Sequence, residues 1–166
     1  MDMRMALFRP DLEYECVEDI SVSELYARGF RAVLLDVDNT LIPRSTGQMP
    51  AAVTAWIERL KASGMPCCLL SNNWHKSVLT HAEDLGLPIV YKAMKPMPFA
   101  ILRALGKTGV RRRDAVIIGD QLFTDILGAR ILGMATVLVQ PRSAVDLWYT
   151  KLFRRIERRL RREPSD

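Results

Sequence analysis

The stretch Ala32-Val33-Leu34-Leu35-Asp36-Val37-Asp38-Asn39-Thr40 decides the fold. Four apolar residues run without alternation and stop at an acid. A short run of this kind suits a strand buried on both faces, as in a parallel sheet. Four more follow: 67–70 (CCLL) ending at Ser71, 89–91 (IVY), 115–118 (AVII) ending at Gly119-Asp120, and 135–139 (ATVLV). Between them lie helical patterns at 50–63, 75–85, 98–105 and 124–132, each followed by a glycine: Gly64, Gly86, Gly106 and Gly133. Helix-then-glycine units between buried strands read as βαβ units. The expected fold is therefore α/β, with helices on both faces of a parallel sheet of about five strands. Residues 1–30 read as an N-terminal extension packed on the core, with a helix near 23–28. Residues 31–142 read as the core and 143–166 as a basic amphipathic C-terminal helix.

The composition agrees with one globular domain. The chain has 166 residues, 49% hydrophobic and 26% charged, which excludes disorder for its bulk. No apolar run approaches the roughly 18 residues of a membrane span. The first ten residues carry Asp2, Arg4 and Arg9 and do not read as a signal peptide. Cys16, Cys67 and Cys68 are odd in number and form no CxxC, so reduced thiols in a cytoplasmic protein are expected. The net charge of +5 is uneven: residues 151–162 hold seven Lys/Arg and one Glu, net +6, leaving −1 for the rest. Any attraction to an anionic partner belongs to that tail.

Polar chemistry gathers just past the strand ends, where open α/β sheets bind ligands. Asp36 and Asp38 form a DxDxT pattern with Thr40. In extended backbone, residues two apart face the same way, and paired carboxylates need a cation or proton between them. Mg²⁺ accepts such carboxylates together with phosphate oxygens. An Asp- and Asn-rich turn is the simpler alternative. This pattern arises by chance about once in 30 chains of this composition, so the other motifs must decide. Asp120 follows a strand, and Asp125 lies in the first turn of the next helix. Ser71-Asn72-Asn73 offers a hydroxyl and amides for an anion, or a plain helix cap. Lys95-Pro96-Met97-Pro98 stiffens the backbone around one lysine, with Lys92 as a competing cation.

In order and placement the four motifs resemble those of haloacid dehalogenase superfamily phosphatases. The wording LLDVDNTL, LLSNN, KAMKPMPFA and GDQLFTDILGARILGM more narrowly resembles subfamily IIIA phosphatases of the YqeG type, relatives of mitochondrial phosphatidylglycerophosphatases. The resemblance spans about residues 5–140 and implies a Rossmann-like three-layer core. It implies Asp36 as the nucleophile that becomes an aspartyl-phosphate and Asp38 as the general acid and base. Thr40 would orient the loop, and Ser71, Asn72 and Lys95 would hold the phosphate. Mg²⁺ would sit on Asp36, the Asp38 carbonyl and Asp120, with Asp125 in support. Roles for Arg44, Trp74, His75 and Lys92 stay open.

The 31 residues from Thr40 to Ser71 and the 24 from Ser71 to Lys95 leave no room for a large cap domain. An open site suits a bulky or membrane-presented phosphate, such as phosphatidylglycerophosphate. In the tail, Val145, Trp148, Tyr149, Leu152, Ile156 and Leu160 fall at helical spacing among arginines. Such a helix fits peripheral contact with an anionic lipid surface, and equally docking on the core; RNA would use the same charges. The alternatives are a phosphatase of soluble nucleotide, sugar or protein phosphates, and a regulatory protein that keeps the fold but acts on RNA or ribosome assembly.

Overall fold

A computed structural model describes residues 7–143. Its centre is a parallel sheet of six strands: β1 (Leu12–Tyr14), β2 (Ala32–Asp36), β3 (Cys67–Leu70), β4 (Ile89–Val90), β5 (Ala115–Gly119) and β6 (Ala135–Val139). The spatial order is β1-β6-β5-β2-β3-β4. The helices are α1 (Val22–Ala27), α2 (Ala51–Ala62), α3 (Ser77–Leu85), α4 (Pro98–Thr108) and the short α5 (Leu127–Ile131). The proposed C-terminal helix lies outside the described residues.

The unbroken apolar run of β2 is explained by its neighbours. Alternate side chains point to opposite faces, and both faces are covered. Val33 and Leu35 join one core cluster with Val53, Trp56, Ile57 and Leu60 of α2 and Val78, Ala82 and Leu85 of α3. Leu34 joins the other, with Ile101 and Ala104 of α4 and Ala129 of α5. This gives three layers, helix–sheet–helix. The crossover from β2 to β3 carries α2, and that from β3 to β4 carries α3; neither holds a further domain.

Three details refine the expected elements. The sheet has a sixth strand, β1, from the stretch read as an extension. With three residues and Glu13 in the middle, it has no apolar run to reveal it. It is held by pairing rather than by pattern: Leu12 lies opposite Val137, and the Asp11 carboxylate accepts from Thr136 N at 2.8 Å and Thr136 Oγ1 at 3.1 Å. Second, α4 does not stop at Gly106. It runs to Thr108 and ends at Gly109, whose φ of 69° is the left-handed conformation that closes a helix. Leu105 is buried, and that packing outweighs the cost of one interior glycine, about 1 kcal/mol. The helical pattern at 124–132 starts earlier, in a widened π turn at Leu122–Ile126, before regular α5.

Cys67 and Cys68 are buried and free, and burial raises both thiol pKa values, so neither is a ready nucleophile. Among the described residues no helix is long and apolar enough to cross a membrane.

The first turn of the chain onto the core is fixed by one buried donor: Trp56 Nε1 donates to the Ile20 carbonyl at 2.7 Å. Trp56→Phe keeps most of the ring but orphans that carbonyl. It should cost about 1–3 kcal/mol in urea denaturation with the m-value unchanged. A loss below a few tenths would show that water reaches the carbonyl instead.

Candidate active site

The register of the three central strands builds the site. Leu35 lies opposite Ile118 of β5 and Leu69 of β3, and Asp36 lies opposite Leu70. The chain therefore leaves β2, β3 and β5 at one level, with strands about 4.8 Å apart. Asp36, Ser71 and Asp120 emerge side by side at that edge, although 35 to 84 positions separate them along the chain. The next crossover segment brings Lys95 over the same edge.

The central contact is between buried charges. Lys95 Nζ donates to Asp36 Oδ1 and to Asp125 Oδ1, each at 2.6 Å. The lysine side chain is 2% exposed and those of Asp36 and Asp125 are 7% and 1%, so water screens little of this interaction. Thr40 Oγ1 donates to Asp36 Oδ2 at 2.7 Å and lies 3.4 Å from Asp120 Oδ1. The second oxygen of Asp125 accepts from the Gln121 amide at 3.2 Å. Oxygens of Asp36, Asp120 and Asp125 come within 4.8 Å of one another.

Three buried carboxylates against one ammonium leave a net charge near −2, which is costly in a dry site. The titration tendencies follow from that crowding. Burial alone would favour the neutral amine of Lys95, but Asp125 and Asp36 outweigh it and hold the ammonium well above the ordinary lysine range. Burial, then the charge of Asp36, pushes Asp125 up to about 7, with Lys95 pulling the other way. A divalent cation matches this set in charge, and hard carboxylate oxygens are the ligands Mg²⁺ prefers.

Asp38 stands apart from that trio. Its carboxylate accepts from Ser71 Oγ at 2.8 Å and Asn73 Nδ2 at 3.1 Å. It lines a cleft of about 540 Å³ with Arg44, Asn72, Trp74, His75 and His81. The DxD pair thus serves two places: Asp36 faces the buried cluster and Asp38 the open cleft. The extended two-residue spacing that would aim both one way ends at Asp36, because β2 ends there. Leu41 N and Ile42 N then fold back onto the Val37 carbonyl, and Asn39 takes a φ of 63°, which asparagine tolerates.

Ser71 Oγ accepts from Asn73 N at 3.0 Å. Asn72 faces Lys95 instead: its Oδ1 accepts from Lys95 N at 2.8 Å and its Nδ2 donates to the Lys95 carbonyl at 3.3 Å. The loops after β3 and β4 are thereby locked together. Lys92 does not enter the cluster; its ammonium lies over the rings of Trp74 and Tyr91, at 4.8 and 5.5 Å.

Four supporting residues have no role of their own in the sequence reading: Gly119, Arg142, Ser143 and Asn73. Gly119 is required by contact: a Cβ there would lie 2.3 Å from the Asp125 carboxylate. The Gly-Asp at the strand end was the available signal. Arg142 N donates to the Asn39 carbonyl at 3.0 Å and its Nε to the Thr40 carbonyl at 2.7 Å, while its guanidinium pairs with Glu18. Ser143 Oγ adds a bond to Asn39 Oδ1 at 2.6 Å. Those partners are about a hundred positions away, and nothing local in the sequence marks them. Asn73 belongs to the Ser71-Asn72-Asn73 motif, but nothing local in the sequence marks its side-chain bond to Asp38.

Comparison with known proteins bears on this geometry. A family model described as HAD-hydrolase-like matches residues 93–141. A probable phosphatase, YqeG, of Bacillus subtilis (strain 168) is 35% identical over 158 residues, covering 95% of this chain and 92% of that protein. The chloroplastic phosphatidylglycerophosphate phosphatase 1 of Chlamydomonas reinhardtii is 28% identical over 145 residues; the match covers 82% of this chain but 54% of that relative, about half its length. The solved cobalt-bound deoxy-D-mannose-octulosonate 8-phosphate phosphatase of Haemophilus influenzae superposes with a TM-score of 0.55 at 16% identity, over 75% of each chain, a likeness in fold. Identity of 35% over nearly the whole of both proteins decides the family: the chain belongs to the haloacid dehalogenase superfamily of phosphatases, in its YqeG-type branch.

Proposed function

We propose that the phosphatase works on phosphomonoesters through an aspartyl-phosphate on Asp36, with Mg²⁺ bound by Asp36, Asp120 and the Asp38 carbonyl and supported by Asp125. The observation that carries this reading is the Lys95 ammonium held between Asp36 and Asp125 beside Asp120. A lone nucleophilic carboxylate would repel a phosphate dianion. Lys95 offsets that repulsion and fixes the direction of the Asp36 oxygens, with Thr40 holding the other oxygen. When bound, Mg²⁺ would supply further positive charge toward the phosphoryl oxygens.

The residues then divide the work. An Asp36 oxygen attacks phosphorus as the ester oxygen leaves, and Asp38 gives that oxygen its proton. Asp38 is suited to this because it lines the open cleft where a leaving group has room. In the second half, Asp38 takes a proton from water, the water oxygen attacks phosphorus, and Asp36 is released with inorganic phosphate. Ser71 Oγ and the Asn72 amide hold phosphoryl oxygens. The Asn72–Lys95 backbone pairing keeps these groups in step.

For substrate, we favour a phosphate presented at a membrane, of the phosphatidylglycerophosphate kind. The support is the likeness to a protein of that name and a cleft with one helix in each flanking crossover. Soluble nucleotide, sugar or protein phosphates are the competing substrates, and a phosphate-release screen across the classes separates them. A binding role on RNA would not need the buried set.

Asp36→Asn should abolish aryl-phosphate hydrolysis, by on the order of 10³-fold or more, with the far-UV spectrum retained. Hydrolysis near the wild-type rate would refute the covalent route. Removing divalent cations with EDTA should stop turnover, and Mg²⁺ should restore it; turnover in EDTA equal to that in Mg²⁺ would contradict the metal assignment. Gly119→Ala should lower kcat by at least about tenfold, because Asp125 must move off Lys95. Unchanged kcat in that variant would mean that the Asp125–Lys95 contact is dispensable.

A further inference from the structure

Large apolar side chains left in solvent are not scattered over this protein. Six of the seven among the described residues are Trp74, Tyr91, Met94, Met97, Phe99 and Leu102. All come from the loops after β3 and β4 and from the outer face of α4, on one flank of the catalytic edge. The two loops are tied together by the Asn72–Lys95 pair and by Lys92 N donating to the Asn73 carbonyl at 3.4 Å. Trp74 is 67% exposed and Met94 57%. Phe99, Leu102 and Arg103 follow at helical spacing on the exposed side of α4, opposite buried Ile101, Ala104 and Leu105.

The charge on this flank has one sign. From Gly86 to Val110 there is no Asp or Glu, against four Lys and Arg, of which only Lys95 is buried. From Asn72 to Ala82 there is again no acid, and Lys76 is exposed. Elsewhere the described residues mix both signs. Lys92 stands over the rings of both Trp74 and Tyr91, so cation and aromatic groups share one surface.

We infer that this flank is the surface by which the enzyme rests on an anionic bilayer, with the catalytic edge turned toward the headgroup layer. Apolar side chains protruding singly from loops and a helix, with aromatic groups and exposed cations beside them, match what a negatively charged lipid interface takes up. A bilayer is favoured over a protein partner because the flank borders the site itself. A phosphate carried in the headgroup layer would reach Lys95 and Ser71 without leaving the membrane. The inference deepens the membrane-presented substrate proposed above and rests on that reading.

The test uses the full chain with vesicles of phosphatidylcholine alone or mixed equally with phosphatidylglycerol. Wild type should sediment with the mixed vesicles and much less with phosphatidylcholine. Phe99→Glu/Leu102→Glu, on the exposed face of α4, should lower the sedimented fraction at least about fivefold while leaving hydrolysis of a soluble aryl phosphate unchanged. Phe99→Ser/Leu102→Ser removes apolar groups without adding charge and should shift binding the same way, which covers a folding failure of the first variant. Failure of wild type to sediment would overturn the inference. So would binding by both folded variants at the wild-type level, since contact would then run through another surface. Light scattering on the same samples reads the rival occupant: a dimer that the variants abolish would assign the flank to a second copy and overturn it too. Aryl-phosphate hydrolysis by wild type is scored separately, so failure of the phosphatase chemistry is distinguishable from failure of membrane docking.

Discussion

The site depends on one ammonium held between two carboxylates in a nearly dry setting. Lys95 bridges Asp36 and Asp125 at 2.6 Å each, and all three are buried. A buried charge triad of this kind is a poor source of stability, because desolvation offsets most of the attraction. It is a good source of direction: Lys95 fixes one oxygen of Asp36 and Thr40 the other. The excess negative charge left by Asp120 and Asp125 is what a second cation would balance.

The fold serves that contact through register. Three parallel strands end at one level, and a buried centre lets them do so without polar side chains along their length. Around the edge, backbone and side-chain bonds join loops from distant parts of the chain. Asn72 grips both backbone polar groups of Lys95, and Arg142 grips carbonyls of the loop that follows Asp36. The clustered side chains are therefore positioned in part through backbone contacts made by neighbouring loops.

Much of this was legible in the sequence because it is written in local patterns. Apolar runs marked β2, β3, β5 and β6, and the acids and Ser71 at their ends marked the edge. What was not legible has a common physical cause, dependence on distant partners. β1 is three residues with a charged centre, and only its pairing with β6 makes it a strand. Gly106 reads as a helix stop by type, yet burial of Leu105 carries the helix past it. The separate aims of Asp36 and Asp38 depend on where β2 ends, and the grip of Arg142 on its partners' loop spans about a hundred positions.

The most direct test of the central claim is calorimetric titration of Mg²⁺ into the resting protein and into Asp120→Asn. If the buried carboxylates form a cation site, the wild type binds one equivalent and the folded variant binds at least about tenfold more weakly. No saturable binding by wild type, or equal binding by both proteins, would contradict it.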